Sequence, residues 1–110
     1  MSDTDIILSR DISRERLVAE LCALRPAFER EAVTRMALIG SRARGDNGAD
    51  SDVDLAIEVS DEKRRFSLLD LIGVKHLVED TLGLRADIFM LRSLEPALLR
   101  NARRDRVEIF

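Results

Sequence analysis

The fold is decided by residues 36–59, which have the sequence MALIGSRARGDNGADSDVDLAIEV. The four residues before Gly40 are all apolar, which is typical of a central strand covered on both faces. The polar stretch 41–51 is rich in Gly, Asn, Asp and Arg, and indicates a loop with room for one helical turn. From Asp52 to Val59 polar and apolar residues alternate, as they do in a strand with one buried face. This segment therefore predicts two strands joined by a loop.

The rest of the chain surrounds these two strands with helices and a third strand. Leucines recur at helical spacing after Ser13, a plausible N-cap, and Pro26 should end that helix. Gly83 suits the C-terminal cap of a long helix. The predicted elements are a helix from Ser13 to Pro26, a helical turn at 27–31, strands at 33–39 and 52–59, a helix at 62–82 with Phe66, Leu69, Ile72, Leu77 and Val78 among its apolar positions, a strand at 84–91, a helix at 94–104 and a final edge strand at 107–110.

This element order predicts one small α/β (α+β) domain spanning 1–110, with residues 1–10 loosely held. We expect a mixed sheet of three to five strands, with helices packed mainly on one side. A chain of 110 residues that is 45% hydrophobic can form one core but not two.

Composition excludes several classes of protein. The net charge of −3 argues against binding duplex DNA by bulk charge, so a nucleic-acid partner is not expected. The single cysteine, Cys22, cannot form an internal disulfide, and we expect it to be a small core residue. No apolar run approaches the roughly 18 residues of a membrane span, and the N-terminus lacks the form of a signal peptide. A cytoplasmic protein is therefore expected.

The most informative feature is a pair of carboxylates, Asp52 and Asp54, on the same face of a predicted strand. Their backbones lie about 6.6–6.8 Å apart, so both side chains can converge on one site. Asp87, in the next predicted strand, would face them if the strands are neighbours; alternatively it is a strand-end residue paired with Arg85. At about 5 Å and an effective dielectric constant near 20, each pair of such charges costs about 3 kcal/mol. A divalent cation removes that cost, and oxygen ligands favour Mg²⁺ or Mn²⁺.

A second feature is the corner at Gly40 and Ser41. Glycine at the end of a buried strand lets the backbone approach a ligand, and Ser41 adds a hydroxyl and an amide N–H. Arg42 and Arg44 follow, and each is able to pair with phosphate. A site for an anion beside a site for a cation is what a nucleoside triphosphate with Mg²⁺ requires. Two ions about 3.5–4 Å apart would stabilise both the attacking and the leaving oxygens.

The pattern Gly40-Ser41, ten residues, then Asp52-Val53-Asp54 resembles the signature of the polymerase-beta-like nucleotidyltransferase superfamily. The stretch GSRARGDNGADSDVDLAI, at 40–57, is similar to its minimal nucleotidyltransferase branch, the small antitoxins paired with HEPN-domain toxins. The resemblance covers nearly the whole chain. It implies transfer of AMP from ATP to a tyrosine hydroxyl of the partner toxin, near its RNase site, with pyrophosphate leaving.

The resemblance also implies a role for each matching residue. Asp52 and Asp54 would hold Mg²⁺, while Asp87 would complete the metal site and help to deprotonate the nucleophile. The triphosphate would be bound by residues at the corner and after it: Gly40, Ser41 and Arg44. A HEPN-domain toxin, which would cover the open cleft of so small a domain, is the expected partner.

Three other functions remain open at this point. The chain could be an antitoxin that acts by binding alone, without catalysis. It could modify a small molecule, as aminoglycoside nucleotidyltransferases do, although those normally carry a further helical domain. It could also bind RNA through a basic cluster near the C-terminus, although the net acidity and the absence of Trp and Tyr count against this. That cluster comprises Arg100, Arg103, Arg104 and Arg106.

Overall fold

The computed structural model describes residues 12–60, 62 and 65–110, and the structural statements below concern these residues. The prediction for residues 1–10 lies outside them. The helices are α1 (Arg14–Ala23), α2 (Arg25–Arg30), α3 (Gly40–Arg44), α4 (Leu68–Leu82) and α5 (Pro96–Asp105), with a 3₁₀ turn at Leu91–Ser93. The strands are β1 (Val33–Ile39), β2 (Val53–Val59), β3 (Ala86–Met90) and β4 (Val107–Glu108).

The strands form one mixed sheet in the order β3-β2-β1-β4. β1 is antiparallel to both β2 and β4, whereas β2 and β3 run parallel. Parallel neighbours need a crossover connection, and α4 supplies it. Because β3 follows β2 in this way, the N-terminal ends of β2 and β3 meet at the same edge of the sheet. The predicted small α+β domain with a mixed sheet is confirmed.

The core lies on one face of the sheet, beneath α1, α2 and α4. Each of these helices contributes side chains that are fully buried against the strands: Leu17, Leu21, Phe28, Val74 and Val78. Burying one such side chain is worth about 1.5–3 kcal/mol. The opposite face is covered only in part, by α5, whose Ala102 lies near Ala37 and Ala56. Within the part of the chain that the structure describes, no helix is both long and apolar enough to cross a membrane.

The predicted start of the long helix at residue 62 is wrong. α4 begins at Leu68, after a capping box in which the Ser67 side chain accepts from the Asp70 N–H and the Asp70 carboxylate accepts from the Ser67 N–H at 2.8 Å. Phe66 therefore lies outside the helix. The cap was not predicted because the apolar periodicity of this segment continues upstream of Ser67. Leu69 and Ile72 are also not core residues, because their exposed fractions are 78% and 38%.

The prediction that Cys22 is a core residue is wrong as well. Leu17 and Leu21 define the buried face of α1, and Cys22 is the next residue, about 100° further round the helix. Its side chain is exposed, and its Sγ lies 3.0 Å from the carbonyl oxygen of Ile109. Pro26 separates two helices as expected, because it occupies the first turn of α2.

Candidate active site

The corner between β1 and α3 depends on Gly40. This residue has φ +75°, in the left-handed region that side chains rarely adopt. A Cβ atom at this position would lie 2.5 Å from Asp54 Oδ2 and 3.3 Å from the Asp54 Cγ. Glycine therefore allows the backbone of the corner to lie directly against the Asp54 carboxylate. The next residue, Ser41, lies at the same corner, in the first turn of α3.

The predicted acidic residues come from two neighbouring strands. Asp54 on β2 lies opposite Asp87 on β3, and on its other side opposite Ile39, the last residue of β1. Asp52 comes just before β2, two residues ahead of Asp54 and so on the same face. Burial raises the pKa of Asp54 above its ordinary value, and the charges of Asp87 and Asp52 raise this pKa further, while Arg44 opposes the shift.

The Asp52 carboxylate is engaged by a cation of the chain itself. Its Oδ1 lies 3.4 Å from Nε of Arg85, and this pair is largely open to solvent. Arg85 thus pairs with Asp52 rather than with Asp87. Among the described residues, no three His, Cys, Asp or Glu side chains lie close enough together to hold a metal ion. The carboxylates suit Mg²⁺ by donor type and by strand position, but Asp52 would have to exchange Arg85 for the ion.

Arg42 does not act as a phosphate-facing residue in this structure. Its side chain is only 2% exposed, and it donates to the carbonyl oxygens of Ser51 at 3.0 Å, Ala49 at 3.1 Å and Gly48 at 3.5 Å. These bonds hold the loop that leads directly into Asp52. The sequence does not indicate these backbone contacts, because an arginine in a polar loop fits the same pattern whether its side chain contacts a ligand or the backbone.

Arg44 lies at the edge of the site and contacts two carboxylates. Its Nε donates to Asp46 Oδ2 at 3.1 Å, and its Nη1 lies 3.8 Å from Asp105 Oδ2. The hydrogen bond to Asp46, together with the charge of Asp46, raises the pKa of Arg44. Asp105 belongs to α5, far along the chain from Arg44, and sequence analysis missed it because no local pattern links the two residues.

Two clefts open beside the acidic residues, one on each side of Phe89. The first, which we call the α5 cleft, has a volume of about 210 Å³ and lies between α3, the sheet and α5. Its apolar wall comprises Ile39, Phe89, Leu94, Leu98 and Ala102, and its polar groups come from Gly40, Arg44, Asp54, Asn101 and Asp105. The second, the α4 cleft, has a volume of about 410 Å³ and is lined by Leu71, Ile72, Lys75, Asp87, Ile88 and Phe89. The site is therefore open on two sides.

Comparison with known proteins identifies the family. The family model described as "Nucleotidyltransferase domain" matches residues 15–109, which include every element of the fold except the first residue of α1. The chain belongs to this nucleotidyltransferase family. It is therefore an enzyme of the nucleotidyltransferase class, with the glycine corner and the acidic residues inside the matched region.

Individual relatives agree with this family. The nucleotidyltransferase is 33% identical to protein adenylyltransferase MntA of Thermococcus cleftensis over 74% of this chain and 79% of the relative. It is 34% identical to a solved protein assigned as a minimal nucleotidyltransferase, with a TM-score of 0.73 over 87% of this chain and 95% of that one. A complex of tri-AMPylated HEPN toxin with MNT antitoxin from Shewanella oneidensis contains a chain of the same fold, at 13% identity and a TM-score of 0.63, covering 88% of this chain and 71% of that chain.

The raised pKa of Asp54 predicts a pH-dependent stability for this nucleotidyltransferase. An acid whose pKa is higher in the folded state adds stability at low pH, and this is lost as the pH rises through the folded pKa. Asp54→Asn should therefore raise the Tm by a few degrees at pH 7 without divalent cations, and this gain should vanish as the pH falls toward about 4. Circular dichroism melting curves at a series of pH values measure this change in Tm.

Glu58→Gln is the matched control, because Glu58 lies on the same strand and face but is half exposed beside Arg35. Its effect on the Tm should be small. If Asp54→Asn and Glu58→Gln shift the Tm equally at every pH, the electrostatic description of the acidic residues is wrong.

The buried position of Arg42 predicts that it supports the fold. Arg42→Met keeps the aliphatic stem but leaves the carbonyl groups of the loop without their donor, so we expect a loss of about 1–3 kcal/mol in the free energy of unfolding. Arg44→Met removes two ion pairs made by a solvent-exposed guanidinium and should reduce the free energy of unfolding by clearly less than Arg42→Met does. Urea unfolding of the two variants makes the comparison, and equal losses would contradict the assigned role.

Proposed function

We propose that this nucleotidyltransferase transfers AMP from ATP to a tyrosine hydroxyl of a partner HEPN-domain RNase toxin and so neutralises the toxin. The observation that carries the proposal is the position of Asp54 opposite Asp87, directly beside the corner at Gly40. The name of the Thermococcus relative and the AMPylated toxin of the Shewanella complex support the choice of reaction and partner. ATP and an RNase toxin would meet in the cytoplasm, where we expect the protein to act.

The corner and Arg44 would bind the triphosphate. None of the described side chains caps the first turn of α3, so its amide N–H groups and the Ser41 hydroxyl are available to phosphate oxygens. Arg44 adds a cation that lies near Asp54 and at the mouth of the α5 cleft. Its contacts with Asp46 and Asp105 limit where the guanidinium can move. The triphosphate would thus be held beside the acidic residues rather than over the core.

Mg²⁺ would be held by Asp52, Asp54 and Asp87, where it would offset the carboxylate charges and the charge that develops on the phosphate oxygens. Burial is the first cause of the raised pKa of Asp54, and the charges of Asp87 and Asp52 raise this pKa further, as expected for carboxylates that share one site. The fit requires Asp52 to turn away from Arg85.

Asp87 has the position expected of the group that receives the proton. It is exposed at the edge of the site and also lines the α4 cleft, so it is open to an incoming hydroxyl. In the proposed step Asp87 accepts the tyrosine proton, and the phenolic oxygen forms a bond to the α-phosphorus of ATP. The bond from that phosphorus to the bridging oxygen of the β-phosphate breaks, and pyrophosphate leaves with the electron pair. AMP remains on the toxin through a phosphodiester.

The surface around the α4 cleft suits a protein acceptor. Leu68 and Leu69, at the start of α4, are exposed by 71% and 78%, and Ile72 lines the cleft itself. Exposed apolar side chains that are grouped together are typical of a protein contact. A partner that covers them would bring its tyrosine to Asp87 and exclude water from the site.

One observation favours a second candidate, an antitoxin that acts by binding alone. Asp52 is paired with Arg85, and no three acidic side chains among the described residues enclose a metal site. A protein that only bound the toxin would have no need to break that pair. Transfer of label distinguishes the two functions.

We expect the wild-type protein, given Mg²⁺, ATP labelled at the α-phosphate and its proposed HEPN-domain partner toxin, to leave label on the toxin. Asp54→Asn and Asp52→Asn should reduce this to background, because each removes a ligand charge. Asp87→Asn should lower the rate by about 100- to 10,000-fold, the usual contribution of a general base. Gel autoradiography and intact mass of the toxin measure the transfer.

Glu58→Gln is again the control and should keep the wild-type rate. Toxin that binds tightly but stays unlabelled with the wild-type protein would favour the binding-only antitoxin. Full transfer by Asp54→Asn would refute the assignment of the acidic residues.

The pair between Arg85 and Asp52 predicts a change in metal requirement. Because Arg85 competes with the ion for Asp52, Arg85→Ala should lower the Mg²⁺ concentration at half-maximal transfer. The change should not exceed about fivefold, since exposed ion pairs are worth about 0–1 kcal/mol. A titration of transfer rate against Mg²⁺ measures it, with Arg100→Ala as a control far from Asp52 in the chain. A higher Mg²⁺ requirement in Arg85→Ala would show that Arg85 assists binding instead.

A further inference from the structure

The α5 cleft is a separate compartment on the nucleotide side of the acidic residues. It begins at Gly40, Arg44 and Asp54 and continues beneath α5 to Leu98 and Asn101. A triphosphate held at the corner would therefore have the mouth of this cleft next to it. The remaining parts of the same ligand are a ribose and a base, and the cleft offers space for them beside the corner.

We propose that the α5 cleft binds the nucleobase of the transferred nucleotide and that the Asn101 carboxamide selects adenine. This inference rests on the proposed function, because it assigns part of the same nucleotide to a particular wall of the site. It makes α5 the specificity element of the enzyme and Asn101 its specificity-determining residue.

The charges in the cleft favour a neutral ligand group over a phosphate. Asp54 and Asp105 both line it together with one cation, Arg44, and Arg44 is already paired with Asp105, whose side chain is only 15% exposed. Two carboxylates in so small a space would repel phosphate oxygens. A base is uncharged and flat, and it would lie against the apolar side chains of Leu98 and Phe89. Binding sites of this kind are mainly apolar, with a few polar groups that determine orientation.

Asn101 supplies the polar group that can read the base. Of the described side chains that line the cleft, the arginine only donates hydrogen bonds and the carboxylates only accept them, whereas the Asn101 amide does both. Adenine presents a donor at N6 beside an acceptor at N7, which one carboxamide can match with two hydrogen bonds. Guanine presents two acceptors, O6 and N7, on the same edge, so Asn101 would leave one of them unmatched.

The competing occupant of the α5 cleft is the acceptor side chain of the protein substrate. The exposed apolar residues favour the other cleft for the acceptor, because Leu68, Leu69 and Ile72 all lie on the α4 side. Asp87 also lines the α4 cleft and not the α5 cleft. The base and the acceptor would then approach from opposite sides of Phe89.

The test compares the full-length wild-type protein with Asn101→Ala, Leu98→Asp and a control, Arg100→Ala, an exposed residue of α5 that lies outside the cleft. Calorimetry with Mg²⁺ and ATP or GTP measures nucleotide binding directly. Steady-state transfer to the toxin gives kcat/KM for each nucleotide and the KM for the toxin. Melting curves show that each variant is folded, which is expected because Asn101 and Leu98 are exposed.

We expect the wild type to prefer ATP over GTP and Asn101→Ala to reduce that preference by at least about fivefold, the lower bound for loss of a two-bond contact with a base. Leu98→Asp should weaken binding of both nucleotides, and Arg100→Ala should change neither. The KM for the toxin should stay constant in all three variants.

Equal affinity of the wild type for ATP and GTP, or an unchanged preference in Asn101→Ala, would overturn the inference. A raised KM for the toxin with unchanged nucleotide selectivity would place the acceptor in the α5 cleft and overturn it as well. The proposed function fails in a different way: the toxin would remain unlabelled, while calorimetry still detected the ATP preference and its dependence on Asn101.

Discussion

The contact between the Asp54 carboxylate and the backbone of Gly40 constrains the whole candidate site. β1 and β2 are antiparallel neighbours, so the end of one strand necessarily lies beside the beginning of the other. With a carboxylate at the beginning of β2, a side chain at position 40, directly after β1, would collide with it. The positive φ of Gly40 then turns the chain into α3, and this turn carries Ser41 and Arg44 to the same edge of the sheet. One backbone contact thus joins the corner at Gly40 to the acidic residues of β2 and β3.

The same edge of the sheet also concentrates negative charge, and the fold tolerates this because its stability comes from elsewhere. The fully buried side chains of α1, α2 and α4 lie on the other face, away from Asp54. On the acidic face, Arg44 and Arg85 offset part of the repulsion from the periphery, through contacts in which both guanidinium groups remain open to solvent. Such contacts are weak and exchangeable. A ligand that brought its own cation could therefore replace them at little cost to the fold.

The sequence predicts the local features of this structure better than the contacts between distant segments. The alternation in β2 and the unbroken apolar run in β1 predicted both strands, and they placed Asp52 and Asp54 on one face, because side-chain direction in a strand follows from spacing alone. The start of α4 was missed because Ser67 and Asp70 form their cap within a segment whose apolar pattern continues upstream. The burial of Arg42 and the contact of Asp105 with Arg44 depend on where separate segments meet. Neither has a local signature.

The helices α4 and α5 are similar in sequence pattern, but each borders a different cleft. α4 and α5 both follow a strand of the sheet, and α4 exposes two leucines and α5 one, but the two helices lie on opposite sides of Phe89. The exposed leucines of α4 are more than two-thirds open to solvent, as a contact with a large partner requires. Leu98 of α5 lines the same cleft as Gly40 and Asp54, as a small ligand requires. Under the proposed function, a domain of this size would present a nucleotide and a protein to one set of carboxylates, with the partner covering the open side. The partner would then be part of the enzyme's active site as well as its substrate.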